Sequence, residues 1–147
     1  MSIKSDSLPE TCHILRFLQF RLKIIVILAV LVPLGFLTKS YSGPGDIWIN
    51  HSAGGILYEI FWCMVIALIF PGVDPVRTAT AVFSMTSILE FLQLWHPAFL
   101  ETIRESFIGR TLIGTTFSWP DFPHYAAGSA LGGILVKMLK KQESRKK

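Results

Sequence analysis

Four apolar stretches, separated by short polar segments rich in proline and glycine, set the pattern of this chain. The first, residues 22–38, reads LKIIVILAVLVPLGFLT and lies at the lower length limit of about 17 residues for a bilayer-crossing helix. Residues 52–70 and 78–95 form the second and third. They are joined through PGVDPVR, whose two prolines and glycine mark a tight turn. The fourth, residues 121–139, carries Gly128 and Gly132 at a four-residue spacing that lets a neighbouring helix approach closely, and the expected use is packing within the chain. The pattern predicts an all-α fold, a four-transmembrane-helix bundle forming one integral membrane domain over residues 1–147.

The connecting segments refine that picture. Pro33 predicts a kink in the first helix, and residues 39–50, with Gly43-Pro44-Gly45, read as a loop. Between the third and fourth stretches lie 25 residues, 96–120, too many for a simple connection. Phe99, Leu100, Ile103 and Phe107 recur there at helical spacing, with Glu101, Arg104 and Glu105 on other faces, which predicts an interfacial amphipathic helix. The following RTLIGTTFSWP is apolar but broken by Gly114 and Pro120, and reads as a re-entrant-like segment.

Composition agrees with a membrane protein: 51% of the residues are hydrophobic and 16% charged, which excludes intrinsic disorder. The net charge of +4 forms no stripe suited to nucleic acid. Its basic residues instead flank the apolar stretches: four lie between Lys4 and Lys23, Arg77 lies in the short turn, and six lie from Lys137 onward. Only Lys39, Arg104 and Arg110 fall on the opposite side, so both termini are expected in the cytoplasm, residues 1–20 as a leader and 140–147 as a basic tail. Ser40-x-Ser42 raises the alternative of a cleaved signal peptide, but the long basic leader favours a retained helix. Cys12 and Cys63 suggest neither a disulfide nor a metal site.

The candidate chemistry lies in polar groups that hydrocarbon makes costly. Glu59 falls about 10 Å and Glu90 about 8 Å from the outer ends of their helices, at 1.5 Å per residue. Gln93 shares a face with Glu90, while Asp121, His124 and Tyr125 open the fourth helix at the same level. Carboxylates at this depth need partners, and Arg104 and Arg110 are the cations expected there, with Glu90–Arg110 the sharpest pairing and Asp121 as the competing acid. Such a cluster reads either as a ligand site, with the arginines on the phosphate of an anionic lipid or isoprenoid phosphate, or as a clamp in a scaffold that binds another membrane protein. His51, His96 and His124 read as hydrogen-bonding residues ahead of proton carriers. No motif for a nucleophile, a phosphate loop or a metal occurs, so no cofactor is expected and catalysis is the weaker reading.

The run ILEFLQLW, then Arg110, then Asp121 with Gly128 seven residues later, resembles the signature of VanZ-like membrane proteins, small multi-span proteins of bacteria. With Tyr41-x-Gly43 and Asn50-x-x-Gly54-x-x-x-Tyr58 included, the chain is most similar to an uncharacterised four-span domain-of-unknown-function family, whose pattern Glu90, Gln93, Arg110, Phe117, Asp121, Tyr125 and Gly128 match. The resemblance implies a helical fold and a place in the bacterial cytoplasmic membrane; it implies no reaction.

Overall fold

A computed structural model describes residues 8–114 and 116–144, with no side-chain account of residues 8–13, Ile47, His51, Thr111 or Ser144. All regular elements among the described residues are helical. In chain order they are α1 (Leu8–Ser40), α2 (Asp46–Trp48), a π-helical turn (Ile49–Ala53), α3 (Gly54–Ile69), α4 (Pro75–Leu92), α5 (Ala98–Glu105), α6 (Phe107–Ile113) and α7 (Asp121–Ser144). One stretch, Ile14–Ser40, is long and apolar enough to cross a membrane; α3 is apolar throughout but has 16 residues.

Local chemistry explains most of the boundaries. The Asp74 carboxylate accepts from the backbone N–H of Val76 at 2.9 Å and of Arg77 at 3.2 Å, and Pro75 occupies the first turn, so α4 begins where capping and fixed φ coincide. Ser106 has extended backbone and ends α5; its hydroxyl then accepts from Gly109 N at 2.9 Å and starts α6. Gly114 closes α6 at φ 76°, a left-handed value that glycine adopts without strain.

Several boundaries differ from expectation. The first helix already includes Leu8, where the described residues start, and absorbs much of the expected leader, because hydropathy marks where apolar residues lie and not how far a helix extends. It runs through Pro33 as one continuous element. The expected loop over residues 39–50 narrows to residues 41–45, since α2 and the π-helical turn run directly into α3. The expected interfacial helix is confined to α5, and Phe107 opens α6, which occupies the start of the re-entrant-like segment. The last helix runs on into the basic tail.

The central pair is α3 and α7. A Cβ on Gly128 would lie 2.7 Å from Glu59 Cβ and 2.8 Å from the Ile56 carbonyl oxygen; one on Gly132 would lie 2.7 Å from Cys63 Cβ. Gly133, one step round the helix, faces Ala79 and Pro75 of α4. Small residues thus seat α7 between α3 and α4. At the end carrying the 70–74 turn, here the base, Phe20, Ile24, Cys63, Met64, Ala67, Val82, Val136 and Leu139 form a continuous core. Lys23 binds Glu143 at 2.7 Å, and the Lys140 ammonium donates to the Val73 carbonyl. At the other end α5 and α6 form a roof. There α1 rests on α3, yet no Cα of α1 comes within 8 Å of one in α4, at the roof or anywhere along the two helices.

Candidate functional site

The gap between α1 and α4 is a cavity of about 870 Å³, backed by α3 and covered by α6. Leu31, Val32, Gly35 and Phe36 line it from α1, Leu57, Tyr58 and Phe61 from α3, and Thr86, Leu89, Glu90 and Gln93 from α4. Phe107, Leu112 and Ile113 form its ceiling. Phe36 and Phe107 stack with ring centroids 6.3 Å apart, which carries the ceiling across to α1. The volume lies in the range of small-molecule pockets, roughly 300–1,000 Å³, and the lining is mostly apolar with a few polar groups.

Those polar groups converge on Glu90. Its carboxyl, 1% exposed, accepts from Ser118 N at 2.7 Å, Tyr125 Oη at 2.9 Å and Gln93 Nε2 at 3.1 Å. Gln93 Nε2 also donates to the Ile113 carbonyl at 2.9 Å, and Tyr58 Oη to the Leu112 carbonyl at 3.1 Å. Three wall residues thereby hold the backbone of α6 and of the strap that follows it. Gly55 makes room for the Tyr125 ring, since a Cβ there would stand 3.3 Å from it. Glu59, fully buried, accepts from Ser129 Oγ across the α3–α7 contact, and its Oε1 has no partner.

The expected Glu90–Arg110 pair does not form. Arg110 is exposed and donates to the Glu105 carbonyl at 3.2 Å, while Glu90 is surrounded by neutral donors. Arg104 is not open to a ligand either. It is 4% exposed and donates to the carbonyls of Leu92 at 2.9 Å and Trp95 at 3.2 Å, and to Glu101 at 2.7 Å. Those carbonyls belong to the end of α4 and the turn after it, so the guanidinium caps that helix with the favourable sign of charge. His96 Nδ1 lies 2.8 Å from the same Glu101 oxygen. Hydrogen bonds to His96 and Arg104 hold the Glu101 carboxyl below the usual glutamate range.

Of the remaining residues, Asp121 opens α7, and His124 Nδ1 donates to the Pro120 carbonyl at 2.6 Å. His51 lies among the side chains outside the description. Sequence reasoning missed Lys39 and Asn50, which join the lining near the C-terminus of α1. Lys39 makes no ion pair among the described residues; in the sequence it marks only topology. The available signal was Asn50, a polar residue set before the small Gly54 and Gly55.

Residues 45–129 match a family model described as a protein of unknown function, DUF2809. The chain belongs to this family. The matched stretch covers α3 to α6 and the first turns of α7, and so contains Glu59, Glu90, Gln93 and Tyr125, while all of α1 precedes it. No solved structure matches the chain.

Proposed function

We propose that this protein is a multi-pass component of the bacterial cytoplasmic membrane that holds a phosphate-bearing amphiphile in the roofed cavity. In this reading α1, α3, α4 and α7 cross the bilayer with both termini in the cytoplasm, as the distribution of basic residues favours. The roof then lies at the outer surface, where α5 exposes Phe99 and Ile103 and the nearby Trp48, Trp95 and Trp119 are also exposed, as aromatic residues are at membrane interfaces. The likeness to VanZ-like proteins supports the same compartment.

One observation carries the proposal: a mostly apolar cavity of about 870 Å³ between α1 and α4, whose Cα atoms nowhere come within 8 Å of each other. An acyl or isoprenoid chain fits such a cleft because its walls are as apolar as the bilayer itself. Lys39 replaces Arg104 and Arg110 as the partner of the phosphate, since it lines the cavity and neither arginine does.

Gly35 provides the test, because a side chain there meets nothing within 4 Å and would project into open space. Gly35→Phe should fold normally and lose co-purifying lipid when the detergent-solubilised protein is weighed by native mass spectrometry. Equal lipid retention by the variant and the parent would overturn the proposal. A second reading, a non-catalytic scaffold, draws support from Glu90, whose hydrogen bonds tie α4 to the segment after α6 through Ser118 N and to α7 through Tyr125. It becomes the better account if the parent protein itself retains no lipid.

A further inference from the structure

Resting on the reading of the cavity as a lipid site, we propose that it selects head groups pairing a phosphate with a primary ammonium, the phosphate at Lys39 and the ammonium against the wall of Glu90 and Gln93. The argument starts from an imbalance of donors and acceptors. Glu90 is 1% exposed and has only neutral donors around it; no Lys, Arg or His lies within ion-pair distance among the described residues. Gln93 is 7% exposed, and its Nε2 faces two acceptors, Glu90 Oε2 and the Ile113 carbonyl. That arrangement fixes which end of the amide is oxygen. The Oε1 atom so defined is buried without a donor. Asn50 repeats the pattern: Nδ2 donates to the Tyr41 carbonyl at 3.1 Å, and Oδ1 is buried without a donor.

The polar lining is therefore rich in acceptors, and its charged residues among the described ones are Glu90 and Lys39. Arg104 and Arg110 are turned to other groups. In a low-dielectric site an uncompensated carboxylate repels a purely anionic head group and attracts a cationic one. A primary ammonium brings both the missing charge and the missing N–H donors. A quaternary ammonium brings charge without donors, and a glycerol head brings donors without charge.

These three chemistries define the experiment. The full-length protein is reconstituted in nanodiscs containing equal fractions of phosphatidylethanolamine, phosphatidylcholine and phosphatidylglycerol with identical acyl chains, and the retained lipids are counted by native mass spectrometry. Phosphatidylethanolamine is expected to exceed each of the others by about tenfold, the value of one charge-assisted hydrogen bond. Glu90→Gln should bring its ratio to phosphatidylglycerol near one; if that variant does not fold, the order in the parent protein decides alone. Phosphatidylglycerol or phosphatidylcholine retained as well as phosphatidylethanolamine would overturn the inference, as would an unchanged preference in folded Glu90→Gln. Retention of all three lipids undiminished in Gly35→Phe would instead remove the cavity itself as the site.

Discussion

Toward the base, α1 lies against its neighbours with Ile24 fully buried, and Cys63, Met64 and Val136 complete an apolar core. Toward the roof the same helix presents Gly35 to open space, and the facing walls carry Glu90, Gln93 and Tyr58. The two halves share the same helices, so backbone architecture does not separate them. Side-chain volume and polarity do: large apolar residues fill the lower half, while Gly35 faces open space in the upper half. Stability should therefore reside at the base and ligand recognition under the roof.

The strongest way to break this division is to truncate a residue in each half. Ile24→Ala should cost about 2–5 kcal/mol, because surrounding groups cannot collapse into the space left. Leu89→Ala, on a wall that already faces a cavity, should cost less than about 1 kcal/mol. Unfolding curves in the same detergent give both values, and similar losses would mean that the halves are equally packed.

Adding a methyl should act with opposite signs. Gly132→Ala places a Cβ 2.7 Å from Cys63 Cβ and Sγ, and overpacking there should cost about 1–3 kcal/mol. Gly35→Ala meets no atom and should gain up to about 1 kcal/mol from reduced backbone freedom. A melting temperature that falls equally in both variants would show that the space beside Gly35 is filled in solution.

A smaller effect sharpens the account of the hub. Tyr125→Phe should cost about 0.5–3 kcal/mol by removing one hydrogen bond to Glu90, and should be non-additive with Glu90→Gln. Arg110→Ala should stay within about 0.5 kcal/mol of the parent and add to Glu90→Gln without coupling, being exposed and bonded elsewhere. A double-mutant cycle showing coupling between Glu90 and Arg110 would reinstate the ion pair read from the sequence.

The smallest effect concerns acidity at the roof. Because Glu101 is held below its unfolded value, its contribution to stability is present above the usual glutamate pKa of about 4.3 and is lost as the pH falls through the depressed folded value. Glu101→Gln should flatten the low-pH end of the stability profile. An unaltered profile would show that the contacts to Arg104 and His96 do not hold this carboxyl in solution.

The helices α3, α4 and α7 were legible because apolar runs end at visible punctuation, Pro71-Gly72 after one and Asp74-Pro75 before the next. The helical course of residues 8–21 was not, since they mix charged and apolar positions. In the site, Glu59, Glu90, Gln93 and Tyr125 stood out as polar residues in apolar surroundings. Their partners did not. Ser118 N, the Ile113 carbonyl and the Leu92 carbonyl are backbone groups that every residue has, so no residue type announces them. The arginines were misassigned for the same reason: nearness in sequence to an acid says nothing about the carbonyls a long guanidinium will reach first.

The π-helical turn at Ile49–Ala53 has a consequence for how this chain tolerates change in length. Such a turn is an α-helix with one residue too many, confined to a single bulge. Deletion of one residue between 49 and 53 would convert it to ordinary helix and leave α3 and everything after it in place. The segment before it would swing by about 100°, the rotation of one helical residue. Asn50 would leave the rim of the cavity while the helices beneath kept their contacts. An insertion or deletion that would wreck the middle of α3 becomes, at this position, a dial that re-aims one polar residue.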